Sequence, residues 1–547
     1  MAPRNPRTHL GTHDVTNQPR PLEDVNLYSA DEILRSACGW SGAAVHGKRL
    51  AAFGIRVGSA EVQGWAIEAN QNAPLFKPYD RYGQRIDEVA FHPAYHRLMA
   101  LGLEAGVAGA AWRVHESGHA LHAALMFLMG QADYGVCCPM SMTYAVVPAL
   151  RLEPAIASAW EPRVTAEAYD SRFIPPSEKR AATMGMAMTE KQGGSDIRAN
   201  TTHAHPQADG SYLLLGHKWF CSAPMCDAFL TLAYAPGGMT CFLVPRWRPD
   251  GERNAIEIQR LKDKLGDRSN ASSEIEYRDA FAQRVGEEGR GVRTILSMVQ
   301  LTRLDCIISS ATQMRQAASL AAWHTQNRSA FQRRLIDQPL MRAVLADLAL
   351  DVEAGVALAF RLAQALDHAG NPHEAALARI GLPLAKYLVT KRAPTLVAEA
   401  MECHGGAGYV EESPMPRLFR QSPLNAIWEG SGNVIALDMV RALQREPETR
   451  QALMAELRQA AQCERYLTQA AEEADALLSG SVPEASARQV IEHLALCLAA
   501  AVLRRHAPQA VGDGFISRRL AERSLTYGAG RSPIDENTLI ERLALAI

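Results

Sequence analysis

The strongest constraint in this chain is a switch of hydrophobic period near Met184 that reverses near Gly291. From Asp31 to about Pro176, apolar residues recur at three- and four-residue steps: in Asp31-Glu-Ile-Leu, along Leu98–Met129 and along Ala155–Ala168. That is helical spacing. Between the two switch points the apolar runs are short and β-rich: Ser211–Cys221, Phe229–Tyr234, Thr240–Val244 and Ser273–Tyr277, punctuated by Asp209-Gly210, Pro236-Gly-Gly and Asp250-Gly251. The helical period then returns in Val292–Ala322, Pro339–Ala369 and His373–Met401, and again in Val434–Leu443 after a loop-rich segment, His404–Asn433.

The order predicts an α+β chain that is mainly α. An extended arm, 1–30, precedes a helical domain, 31–184. A β domain follows over 185–291, then a helical bundle over 292–444. The tail, 445–547, adds two or three further helices around Arg450–Leu478, Ala485–Arg505 and Ile516–Tyr527. A length of 547 residues suits three or four domains.

Bulk composition excludes more than it selects. Net charge is −2, so nothing in the balance calls for nucleic acid or an anionic membrane. The ten Cys form no C-x-x-C pair and no Cys/His cluster at zinc spacing, which points to reduced thiols, a cytoplasmic chain and no metal. The N-terminus has no apolar signal core, and no apolar run is read as a membrane span.

Four segments carry chemistry. In Met186–Asp196, Gly193 and Gly194 free the backbone to approach a ligand, and Ser195 offers a hydroxyl and an N–H; an ordinary glycine turn reads the same way. In Gly216–Ser222, Trp219 at a strand end either stacks on a planar ring or fills a core. Met401–Tyr409 places Gly405, Gly406 and Gly408 after a long helix, as a ligand loop or as a helix end; it does not fit the dinucleotide-binding strand–turn–helix pattern. In Ala426–Asn433, Glu429 stands between the apolar pair Ile427-Trp428 and glycines. Desolvation there suits a general base, whereas most single Glu residues lie in surface turns.

The succession of these four, from about Leu98 to Leu443, resembles the acyl-CoA dehydrogenase family. The resemblance implies a helical N-terminal domain, a middle β-barrel domain, a helical C-terminal bundle and bound FAD, usually in a homotetramer. It implies that Met188, Thr189, Trp219, Phe220, Cys221 and Ser222 surround the flavin ring and that Ser195 meets the pyrophosphate. Ile427, Trp428, Gly430, Ser431, Gly432 and Asn433 would hold the cofactor of their own subunit. Arg328, Phe331, Gln338, Gly405, Gly406 and Gly408 would touch a neighbour's cofactor. Glu429 would remove the α-proton of an acyl-CoA while the β-hydrogen leaves as hydride to the flavin.

Three positions depart from the family pattern. Gln332 replaces the usual Gly after Phe331, Gln421 replaces an Asp, and Trp428 replaces a Tyr, a larger ring that argues against long acyl chains. The arm Asn17-Gln-Pro-Arg-Pro, the tail after Arg445 and the stretches Leu261–Gly266 and Arg268–Ala271 resemble the AidB branch. That branch is associated with the response to DNA alkylation, with duplex DNA binding and with weak isovaleryl-CoA dehydrogenation. The tail has twelve Arg, no Lys and fourteen acidic residues, so it is not basic in bulk. Arg504, Arg505, Arg518, Arg519 and Arg523 are its candidate stripe for DNA phosphates.

Overall fold

The computed structural model describes residues 12–461 and 464–547. The first eleven residues of the expected arm, and two inside the expected helix 450–478, lie outside the described residues. The centre of the molecule is a 37-residue helix, Gly291–Asn327, buried along most of its length. At 1.5 Å per residue it runs about 55 Å. On one side it packs against Pro339–Asp367 and Pro372–Glu402, and on the other against Gly118–Gly130 and Tyr134–Ala145 of the N-terminal part. Gly118–Gly130 is apolar nearly all round and nearly all buried, as a helix enclosed by others must be.

The strands are β1 (Leu75–Tyr79), β2 (Arg85–Ala90), β3 (Met184–Ala187), β4 (His203–Pro206), β5 (Tyr212–Ser222), β6 (Ala228–Ala235), β7 (Gly238–Pro245), β8 (Ile256–Leu261), β9 (Ser272–Val285), β10 (Ser329–Ala330) and β11 (Arg333–Arg334). In the middle domain, β6, β4, β5, β9 and β7 close a ring, with β3 parallel to β6 and β8 antiparallel to β9. Closure leaves few edges to protect, so short strands suffice.

Several elements escape sequence periodicity. The hairpin β1–β2 lies inside the stretch read as purely helical. Its register shifts around Pro78, and one of the two buried residues on β2 is Asp87, which accepts the N–H of Ile258 at 3.0 Å; the other is Val89. A polar inward residue and a bulge erase the two-residue alternation. Leu98–Met129 is two helices, Pro93–Glu104 and Gly118–Gly130, separated at Gly106, whose φ is +86°. The segment Glu484–His506 is long and apolar enough to cross a membrane, against the sequence expectation; 78% of its apolar stretch is buried inside the protein, which accounts for its composition.

The tail holds Pro447–Ala460, Arg465–Leu477, Ala487–His506, Gln509–Phe515, a π-turn Ile516–Glu522 and Glu536–Leu543. It docks on Pro339–Asp367 through buried charges. Arg519 pairs with Asp347 and Asp351 at 2.8 Å each, and the Tyr527 hydroxyl donates to Asp351 at 2.8 Å. Removing one member of such a cluster strands the others without water, which costs roughly 3–5 kcal/mol. Arg519→Ala is therefore expected to release the tail, read as faster amide exchange over 516–543; unchanged exchange there would contradict this account of docking.

Candidate active site

Met188-Thr189 and Trp219 come together by a short backbone bond, the Trp219 N–H donating to the Thr189 carbonyl at 2.7 Å. Beneath them Glu190 and Lys218 form a fully buried ion pair at 2.8 Å. Lys218 also donates to the Leu232 carbonyl on β6 at 2.9 Å, and Glu190 accepts from Thr201 and Thr202. Burial pushes the Glu190 carboxyl up, but Lys218 and these donors outweigh it and hold it at about 2. The charge pair is thus a rivet between two motifs that the sequence showed separately. Neither residue was singled out there; the signal was their place directly beside Thr189 and Trp219.

Around this joint the surface carries aromatic and hydroxyl groups, with Lys262 Nζ 3.2 Å from the Trp219 ring centroid. Trp219 is half-buried, and Phe220 is exposed although apolar. The Ser222 hydroxyl is half-buried and lies 3.2 Å from that of Ser272. Cys221 differs from the expected edge contact: its thiol is turned into the core, and burial pushes it up to about 12. Only its backbone can face a ligand. Gly193 has φ +144° and open space where a side chain would stand, and Ser195 is exposed next to it.

On the helical side, Glu429 sits with φ +57°, a left-handed conformation unfavourable for a non-glycine residue. Its neighbours hold it there. Lys386, buried in helix Pro372–Glu402, donates to the carbonyls of Asn425 (2.9 Å), Trp428 (2.9 Å) and Gly430 (2.8 Å). Trp428 Nε1 donates to Asn425 Oδ1 at 2.8 Å, and Asn425 Nδ2 donates to Ser310 Oγ at 3.0 Å, so the ring beside the carboxylate is fixed. Arg303 reaches the Glu429 carbonyl at 3.3 Å and pairs with Asp438 at 2.7 Å. The Glu429 carboxylate accepts from Thr302 Oγ1 at 2.8 Å, and its backbone N–H has no acceptor among the described residues. Burial raises the carboxyl above its ordinary value, with Thr302, Lys386 and Arg303 opposing.

The remaining expected residues divide into two kinds. Gly405 (φ +59°) and Gly406 face open space, while Gly408 is a packing glycine: a Cβ there would meet the Met401 carbonyl at 2.4 Å. Ile427 is exposed; Gly430 (φ +105°) completes the turn. Ser431 and Gly432 open helix Gly432–Arg445, and Asn433 follows in its first turn. Ser431 makes no cap bond of its own, leaving free N–H groups suited to an anion. Arg328, Phe331 and Gln338 lie together around β10–β11, with Gln338 Nε2 donating to the Ala330 carbonyl at 3.2 Å. Gln332, in place of glycine, keeps a left-handed φ of +62°. Gln421 is buried and accepts the Asp267 N–H at 2.6 Å, while Gly266 packs against the Arg420 backbone. The stretch 261–271 thereby fastens the β domain to the helix before the Glu429 loop.

The expected arginine stripe does not form. Arg518 and Arg519 are buried, paired with Glu522 and with Asp347 and Asp351. Arg504 pairs with Asp513, Arg505 with Glu456, and Arg523 meets His493. The π-turn rotates the 518–519 pair inward, which a helical reading of charge spacing does not anticipate.

Comparison with known proteins decides the family. The AidB N-terminal domain profile matches residues 17–171, the acyl-CoA dehydrogenase middle domain 185–280 and the acyl-CoA dehydrogenase C-terminal domain 289–444. AidB of Escherichia coli (strain K12) is 47% identical over 441 residues, covering 80% of this chain and 82% of that protein. The chain belongs to the acyl-CoA dehydrogenase family. Within it the match is to the AidB branch, and the chain is a FAD-dependent oxidoreductase of that type. Acyl-CoA dehydrogenase family member 11 of Caenorhabditis elegans is 32% identical over 72% of this chain and 66% of its own length. The solved structure of Caenorhabditis elegans ACDH-11 in complex with C11-CoA superposes with a TM-score of 0.84 at 27% identity, covering 96% of each chain.

A carboxyl held above its ordinary value keeps its proton to a higher pH than usual. In ligand-free protein, the infrared band of protonated Glu429, identified by its loss in Glu429→Gln, is expected to persist above the normal carboxylate range and fade as pH rises. Lys386→Met removes a charge that lowers this pKa and is expected to move the transition upward. A transition at an ordinary carboxylate pH in the parent protein would contradict the desolvated site.

Proposed function

We propose that this acyl-CoA dehydrogenase family member oxidises short or branched acyl-CoA thioesters, isovaleryl-CoA among them, with Glu429 as the base that removes the α-proton. One observation carries the reading: the Glu429 loop offers a desolvated carboxylate and, from the same residue, a backbone N–H without an acceptor among the described residues. The first takes a proton; the second donates to the thioester carbonyl, stabilising negative charge as the α-proton leaves. FAD, when bound, supplies the acceptor for the β-hydrogen.

The residues present fit that cofactor. Met188, Thr189, Trp219, Phe220 and Ser222, with the backbone of Cys221, line the ring, and Ser195 and the helix opening at Ser431 and Asn433 receive phosphate or ribityl oxygens. Ile427, Gly430 and Gly432 complete the wall on the subunit's own side. Gly405, Gly406 and the Arg328–Gln338 segment serve the neighbouring subunit's FAD, with Gly408 shaping the turn. Apolar exposure supports such a homotetramer: Phe331 is 94% exposed, Leu340 84% and Tyr409 82%, a surface that a lone chain leaves in water. Trp428, pinned by Asn425, limits the width beside Glu429 and selects shorter acyl groups. All nine described cysteines are free and buried, which supports work in a reducing, cytoplasmic setting.

The reading of the chain as a duplex-DNA protector has less to stand on. Two of its five arginines are internal, so the phosphate-facing charge reduces to Arg504, Arg505 and Arg523, each with a partner.

Anaerobic addition of isovaleryl-CoA to the FAD-bound protein is expected to bleach the flavin band, and more completely than a long-chain thioester does. Glu429→Gln is expected to slow bleaching by at least a thousandfold, a loss of about 4 kcal/mol of transition-state stabilisation, while retaining the cofactor. Native-rate bleaching by that variant would remove Glu429 from the role of base.

A further inference from the structure

The run Asn17-Gln-Pro-Arg-Pro at the start of the described chain has no part in the site above. It passes the end of helix Gly291–Asn327 and grips the segment that follows. The Asn17 side chain bonds Ser329 twice: its Nδ2 donates to the Ser329 carbonyl at 2.8 Å, and its Oδ1 accepts the Ser329 N–H at 2.7 Å. Arg328 Nη1 donates to the Asn17 carbonyl at 2.9 Å and to Gln18 Oε1 at 3.4 Å. One turn earlier, Trp323 Nε1 donates to the Arg20 carbonyl at 2.7 Å. Asn17 itself has φ +57°, a conformation asparagine tolerates.

What the arm grips needs support. β10–β11 has two residues per strand, pairing Ser329 with Arg334 and Ala330 with Arg333. Phe331 and Gln332 form its two-residue loop, both left-handed at φ +52° and +62°. This is the twist that suits a tight hairpin, but neither residue is the glycine or asparagine that adopts it readily. A hairpin this short does not hold its shape alone in water. Asn17 clasps one strand of it at Ser329, and Gln338 clasps the next residue, Ala330.

We propose that the N-terminal arm is a structural part of the cofactor clamp: Asn17 fixes the Arg328–Gln332 hairpin in the pose that presents Arg328 and Phe331 to the ADP half of a neighbouring subunit's FAD. The inference rests on the reading in which those two residues reach the neighbour's cofactor. Asn17 is a positioning residue and touches no cofactor itself.

The test uses full-length, FAD-loaded protein. Asn17→Gly keeps the left-handed backbone available and removes only the clasping amide. Flavin fluorescence on dilution measures cofactor release, and amide exchange measures order at 328–334. Asn17→Gly is expected to release FAD roughly three- to tenfold faster, the scale of about half the net worth of the two hydrogen bonds lost at Ser329, with faster exchange confined to the hairpin. Phe331→Ala tests the underlying reading and is expected to accelerate release as well. If Phe331→Ala accelerates release and Asn17→Gly does not, the arm's role is overturned. If neither does, the hairpin does not reach the cofactor and the proposal falls with that reading. If Asn17→Gly loosens exchange throughout the chain, a general structural role replaces the one proposed.

Discussion

Lys386 sends one ammonium to three carbonyls, those of Asn425, Trp428 and Gly430, and the geometry around Glu429 follows from that convergence. A buried lysine is costly unless its charge is solvated by the protein. Here the loop's own carbonyls replace water, so the loop folds around the ammonium. Glu429, between two of those carbonyls, is left with a left-handed backbone that it would not choose alone. Strain of this kind persists only where surroundings over-determine it. The same contacts leave its N–H without an acceptor among the described residues and direct its carboxylate to Thr302, so both groups come from one constrained residue.

The other joints of the site follow a similar design. Glu190 with Lys218, Gln421 with Asp267, and Ser269 with Asp133 at 2.6 Å are buried polar contacts that each join different segments. Such contacts add little net stability compared with apolar packing, but they tolerate only one alignment. Apolar surfaces bring the helical and β parts together; these few bonds set their register.

Sequence periodicity located the helical and β blocks because their cores are apolar and regular, as along Gly291–Asn327 and β5. The segments bearing Thr189, Trp219, Gly405 and Glu429 stand out in the sequence for another reason: glycine next to chemistry-bearing side chains is locally visible. Periodicity missed β1–β2, where Asp87 takes an inward place, and it misjudged Arg518 and Arg519: the partners of Arg519, Asp347 and Asp351, lie far away in the chain, and the turn that buries Arg518 against Glu522 is a π-turn. It gave no hint of Lys386, since a lysine in an apolar helix declares its role only when the loop across from it is known. The illegible part consists of contacts between residues distant in sequence and of polar groups placed inside.

The buried helix at Glu484–His506 has an implication for how this chain fails. Its apolar stretch passes for a membrane span by length and composition, and in the folded chain its packing partners cover it. While the tail is still being made, or after heat loosens it, the apolar run between Glu492 and Arg504 is exposed to water. Damage to the tail should therefore show itself as clumping or sticking to lipid well before the catalytic half unravels.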